Sequence, residues 1–540
     1  MQIPRYGIFE ASLVQTTRAD NPYVEIWAEV QLTEPDGKTF RKIPLFWDDG
    51  RTWRFRFSPD KLGTWTWRTR SIDAGLDSAS GTFEVVDSGR AGSLRPMTGH
   101  PYHFERQDGS RFWFLGETAW SLFVDSAEQQ HDRAAALHHI DVRAAQGFNA
   151  FHSMLMSELG WGNSGGDPFH EIESERINPA YWQEVDHRLA YLNAKGVIGG
   201  LVLAWGRKRW DESEPFAWDR FPDLAAKLRY ARYIAARYSA YDVYFIVAGE
   251  WNASAREPKR ARGAPVRDLN GVRQEYIEIG DALSKSDPHG RMVGIHPGTG
   301  GFHFAREFND AATWMSFGDY QQNYTDLNAG ARTSRQFDKP VVNGEYAYYL
   351  RDADHDSKVD KPNSQTLAAI RHATWDILMA GAYVVSGFGS TYLGGARNVG
   401  PFDVDAPQND DWEAQIQHLA SFFRSAAYWR LEPHNELLSA DVERSEDRGD
   451  PRFEDRLING RPAPPLCAYW CLAEPGSQYV VYVRGTTEPI TLDLASVNAP
   501  LTAQQFNPRT GAWKDLAPHT PGEAFVYTPP DAEDWIVQLG

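Results

Sequence analysis

Between residues 97 and 425 the chain repeats one pattern: a short apolar run, then an amphipathic stretch. The runs are RFWFLGETAW (111–120), FNAFHSMLM (148–156), GVIGGLVLAWG (196–206), VYFIVAGEWN (243–252), RMVGIHPG (291–298), ATWMSFGDYQQNY (312–324), KPVVNGEYAYY (339–349) and GAYVVSGFGSTYLGG (381–395). They lack clean polar–apolar alternation, as strands covered on both faces do, and such strands belong to parallel sheets. The intervening segments read as helices. Ser126 and Gln129 are placed as a capping box for SAEQQHDRAAALHHIDVRAAQG, with Gly147 as its stop; Asn178 and Pro179 open a second helix that ends at Gly196. Eight β/α units in roughly 330 residues predict a (β/α)8 barrel (TIM barrel) over 97–428, an α/β fold. A doubly wound open sheet would carry a glycine-rich phosphate turn after its first strand, and LGETAW is not one.

The flanks are different. Residues 1–92 read as a small immunoglobulin-like β-sandwich. YVEIWAEVQL alternates, with Val24, Ile26, Ala28, Val30 and Leu32 on one face; PDGK turns the chain; Trp53, Phe55 and Phe57 share a face, as do Trp65 and Trp67. Residues 430–540 read as a second β-sandwich, from QYVVYVRG, PITLDLAS, AFVYTPP and DWIVQLG. With 540 residues, several cores are needed in any case.

Charge and composition narrow the partners. The chain has 55 Lys and Arg against 73 Asp and Glu, a net charge of −18, which repels phosphate backbones and argues against nucleic acid. No apolar stretch is long enough to span a membrane, and the start, MQIPRYGIFEASL, has no signal-peptide pattern, so a cytoplasmic location is the default expectation. Cys467 and Cys471, in one extended run, lie too far apart to bridge and are expected as buried thiols. No cofactor or metal motif stands out, and a homo-oligomer is compatible with flanking sandwiches.

In barrels of this kind the working residues sit just past the C-terminal ends of the strands. Those positions supply Glu117 and Trp120, His152, Trp205, Glu250 with Trp251 and Asn252, His296, Tyr320 with Gln321 and Tyr324, Glu345 with Tyr346, and Tyr392. Carboxylates, aromatic faces and amide or imidazole donors suit a sugar, which offers hydroxyls to bond and C–H faces to stack. Glu250 and Glu345 each follow an apolar run and a glycine, at strand ends four and seven. Glycosidic cleavage needs two such carboxyls across one bond, one kept protonated and one ionised. Tyrosine hydroxyls (Tyr320, Tyr324) or imidazoles (His296, His152) are the expected partners of the ionised one. Two other readings stay open: a barrel that binds a glycan without cleaving it, and a metal-dependent hydrolase, which would need converging His and Asp ligands.

The arrangement resembles glycoside hydrolase clan A. FLGETAW, GFNAFHSM, HPG, NGEYAYY and GFGSTYLGG are similar to strand ends of apiosidase-like (DUF4038-type) barrels, and NPYVEIWAEV, GRTWRFRFSP and GTWTWRT look like the DUF5060 sandwich that precedes them. The resemblance implies a glycosidase acting on an oligo- or polysaccharide by a retaining, two-glutamate double displacement. In it Glu250 is the acid/base and Glu345 the nucleophile, and the action is exo and on a pentofuranoside of a plant or microbial glycan. One departure stands out: many clan members carry Asn before the acid/base, and apiosidase-like barrels a Gly-Gly-Asp, where this chain has Ala248-Gly249-Glu250.

Overall fold

The structure, a computed structural model, describes residues 1–127, 129–206, 215–252, 269–298, 308, 310–322, 327–346, 367–386, 403–444, 457–458, 461–462 and 467–540. Its centre is a ring of eight parallel strands: β1 (Leu115–Thr118), β2 (Ala150–Met154), β3 (Ile198–Val202), β4 (Val243–Ile246), β5 (Val293–Gly294), β6 (Gly318–Gln321), β7 (Val341–Tyr346) and β8 (Tyr383–Ser386). The hydrogen-bonded order is β5-β4-β3-β2-β1-β8-β7-β6. A parallel bridge from Val293 to Met315, with Ser316 N–H donating to the Val293 carbonyl at 2.9 Å, brings β5 and β6 together and closes the ring. Around it run α1 (Arg133–Ala145), α2 (Pro179–Ala194), α3 (Leu224–Tyr238), α4 (Leu269–Ser286), α5 (Leu327–Ser334), α6 (Leu367–Leu378) and α7 (Asp410–Ser425). The (β/α)8 expectation from the sequence holds.

The barrel interior is filled from its floor by rings. Tyr244 lies 6.1 Å from Phe114 and 5.7 Å from Phe317, and Tyr383 lies 6.1 Å from Phe114. Glycines make the room: a Cβ on Gly200 would sit 2.4 Å from the Tyr244 ring, and one on Gly294 2.5 Å from Phe317. That is why β3 and β5 carry glycine where strand propensity alone would not.

Two boundaries differ from the sequence reading. Helix α1 does not begin at Ser126. The Ser126 hydroxyl does accept from Gln129 N–H, but Gln130 has φ 48° and the helix starts at Arg133, where the Asp132 carboxylate caps Ala135 N–H at 2.8 Å. The N-cap six residues later, at Asp132, outcompetes the box. The run YVEIWAEVQL is not one strand either: Pro22–Glu25 forms a single helical turn with proline at its start, Val24 is exposed, and the strand begins at Ala28.

At each end the chain packs as two facing sheets. Amino-terminally, Phe9 on a three-stranded sheet stacks 4.1 Å from Phe83 on a five-stranded one. This unit is fixed to the barrel through Arg56, which pairs with Asp186 on α2 at 2.7 Å beside Arg237 of α3. Carboxy-terminally, a six-stranded and a three-stranded sheet enclose a core containing both cysteines, which are free. Arg371 of α6 grips Asp534 bidentately at 2.7 and 2.8 Å, and Trp375 stacks on Tyr482 at 5.7 Å.

Candidate active site

Glu345 is the penultimate residue of strand β7, and the residue before it must be glycine: a Cβ on Gly344 would lie 2.2 Å from an Asp319 oxygen. Asp319, inside β6, is fully buried and meets His296 Nδ1 at 3.2 Å. The other ring nitrogen, Nε2, meets Glu345 Oε2 at 3.3 Å. Burial disfavours charge on this imidazole, but Asp319 first and Glu345 second outweigh it and raise its pKa to about 10. The two acids therefore draw His296 towards its imidazolium form, while burial also raises the pKa of Asp319. His152, on β2, goes the other way: burial and then the charge of His296 push it down to about 3, so it is neutral.

Strand β4 delivers Glu250 by a different device. Its φ is 41°, in the left-handed region that costs a non-glycine residue roughly 1–2 kcal/mol. The flanking backbone holds it there. Gly249 N–H donates to the Ala204 carbonyl at 3.1 Å, Gly206 N–H donates to the Gly249 carbonyl at 2.7 Å, and Trp251 N–H donates to the His296 carbonyl at 3.1 Å. Glycine at 249 is again a matter of space, since a Cβ there would lie 2.0 Å from the Trp205 ring. This accounts for the departure from Asn-Glu: Trp205 occupies the place of the missing side chain. Glu250 itself is half-buried.

The two glutamates thus flank one residue. His296 accepts a backbone hydrogen bond from the neighbour of Glu250 and contacts Glu345 with its side chain. Trp120 and Trp205 complete the wall beneath them, 5.2 Å apart and 6.0 and 5.9 Å from the His296 ring. Gln321 lies opposite Glu345 in the β6–β7 register. Of the expected residues, Glu250, Glu345, Trp120, His152, Trp205, His296 and Gln321 are gathered at this end of the barrel.

Other expected sugar contacts are not. Glu117 is fully buried under α1, where Arg143 Nε donates to it at 2.8 Å. Trp251 packs edge-on against Phe308 at 4.8 Å and near Tyr276 of α4, on the helix side. The Tyr346 hydroxyl bonds Thr374 of α6 at 2.7 Å. Tyr320 follows the inward-pointing Asp319 and so faces the helices, fully buried, and cannot hold Glu345. The Asn252 amide oxygen is taken by Gly298 N–H at 2.7 Å, tying two loops together. For Glu117, Tyr320 and Tyr346, which lie within strands, alternation sends the side chain outward. Tyr324 and Tyr392 lie outside the described residues. The sequence reading missed Asp319, although its signal was present: a lone acid inside an otherwise apolar strand, SFGDYQ. Among the described residues no three His, Cys, Asp or Glu are gathered as metal ligands, and no helix is long and apolar enough to cross a membrane.

The apiosidase-like catalytic-domain model matches residues 100–430, more than half of the chain, and the DUF5060 model matches residues 2–72. The chain belongs to the apiosidase-like family. It is a glycosidase. Comparison with curated protein sequences finds no match. Among solved structures, a Bacteroides vulgatus protein provisionally assigned to the glycoside hydrolases superposes with a TM-score of 0.71 at 17% identity, covering 100% of this chain and 99% of its own. A glycoside hydrolase family 5 protein from the same organism gives 0.61 at 15% identity, covering 83% of this chain and 93% of its own. At these identities the likeness shows the fold.

Proposed function

We propose that this apiosidase-like chain is a retaining glycosidase in which Glu345 is the nucleophile and Glu250 the acid/base. The observation that carries the reading is the clamp of His296. One residue meets the Glu345 carboxylate with its ring and the backbone beside Glu250 with its carbonyl, so both acids border the same opening. A buried cation 3.3 Å away stabilises negative charge on Glu345, as a nucleophile requires. Glu250, half-buried and in reach of solvent, suits a group that must give a proton to the leaving oxygen and later take one from water. Retention calls for carboxyls roughly 5–5.5 Å apart.

In the first step Glu345 attacks the anomeric carbon while Glu250 protonates the departing oxygen. In the second, Glu250 deprotonates a water that displaces Glu345. Trp120 and Trp205 form the aromatic wall on which a sugar face stacks. The substrate is a terminal pentofuranoside of a plant or microbial glycan, cleaved in exo fashion; the family likeness supports this choice.

The test is a screen of nitrophenyl glycosides, furanosides included, with the first-formed anomer followed by NMR. A retained anomer, and a covalent adduct on Glu345 with a 2-fluoro glycoside, are the expected results. An inverted product rules the reading out.

A further inference from the structure

A second cavity lies at the opposite end of the barrel from Glu345. Its volume is about 560 Å³, and it is bounded by the amino-terminal sandwich, the linker after it, the end of α2 and the turns leading into β4 and β5. Three arginines line it, Arg90, Arg106 and Arg291, against one carboxylate, Asp242. In a chain of net charge −18 this concentration of positive charge is unusual.

The arginines are not equivalent. Arg106 is already engaged: Nη1 donates to Asp242 at 2.6 Å and to the Gly92 carbonyl at 3.2 Å. Arg291 is 8% exposed, and its Nε donates to the Ser239 carbonyl at 2.7 Å. Its two terminal nitrogens make no hydrogen bond or ion pair with any described residue. Burial disfavours the charge of this guanidinium, the nearby Asp287 and Asp242 carboxylates offset that only in part, and the planar fork fits a carboxylate or phosphate edge. Arg90 stands exposed at the rim. Tyr6 and Tyr241 also line the cavity.

We propose that this cavity is a second binding site, distinct from the glycosidase centre, for a small oxyanion carried on a sugar: the carboxylate of an acidic sugar or the phosphate of a sugar ester. Arg291 grips the oxyanion, Arg90 adds charge at the entrance, and the tyrosines flank the sugar ring.

Calorimetric titration of the full chain tests this, with glucuronate, glucose 6-phosphate and neutral glucose as probes. At least one anion is expected to bind where glucose does not, and the preferred anion identifies the source. Arg291→Met is expected to weaken that binding ~10-fold or more, the scale of one charged hydrogen-bond pair. Should that variant fail to fold, Arg90→Glu, at an exposed residue, still decides: it is expected to weaken anion binding several-fold while hydrolysis of a nitrophenyl glycoside stays unchanged. Binding of neither anion, binding equal to that of glucose, or anion affinity untouched by Arg90→Glu overturns the proposal.

Discussion

Two glutamates at barrel strand ends each have a histidine beside them, and only one of the two histidines is drawn to its charged form. Under α1, Glu117 lies 3.6 Å from His139 Nε2; at the mouth, Glu345 lies 3.3 Å from His296 Nε2. Both imidazoles are fully buried. Yet His139 is lowered, by burial that Glu117 cannot overcome, while His296 is raised to about 10. The third member of each group makes the difference. Arg143 already neutralises Glu117, so His139 is left as a neutral packing residue. Asp319 adds a second anion beside His296, so the ring takes a proton. A carboxylate with an arginine is held as structure; a carboxylate with a histidine shared by another acid is kept charged and reachable, which is what a reagent needs.

The contrast can be broken in order of effect on turnover. Glu345→Ala is expected to lower kcat by ~10³-fold or more, and Glu250→Ala by a similar factor with poor leaving groups but far less in the first step with good ones. Steady-state kinetics on paired substrates read both. Asp319→Asn, which removes the main support of the His296 charge, is expected to lower kcat ~10-fold or more with KM little changed. Glu117→Ala should leave kcat of the folded enzyme within about 2-fold. It removes one of two carboxylates on buried Arg143, with Glu413 still paired at 2.6 Å, so urea denaturation should show a loss of ~1–3 kcal/mol.

The smallest effect is a slope. A histidine whose folded pKa exceeds its unfolded value stabilises the native state fully below the unfolded pKa and loses that contribution as pH rises. For His296 the window runs from 6.5 to about 10. Stability measured across that range should fall with pH in the wild type and flatten in His296→Asn, and Asp319→Asn should move the fall to lower pH. His139→Asn should leave that fall in place, because His139 is lowered and does not contribute to it.

The fold was legible because helix stops, proline starts and apolar runs are local signals; Asn178-Pro179 opens α2 where expected. The strand-end glutamates were legible for the same reason. The direction of each side chain was not. Glu117 and Glu345 both end apolar runs after a glycine, and only the pleat, set by pairing with distant strands, turns one to α1 and the other to the mouth. Register shifts beside Glu345, between Asn343 and Tyr346 and between Tyr320 and Gln321, are long-range products as well. Asp319 was passed over because it lies within its strand rather than beyond the end.

The glycine preceding each proposed catalytic glutamate binds two positions into one evolutionary unit. Residue 249 cannot acquire a side chain while an indole fills its Cβ site, and residue 344 cannot while Asp319 fills its own. Lineages that carry asparagine before the acid/base should therefore have surrendered the tryptophan after strand three, and Gly249→Asn should be tolerated here only in company with a small residue at position 205.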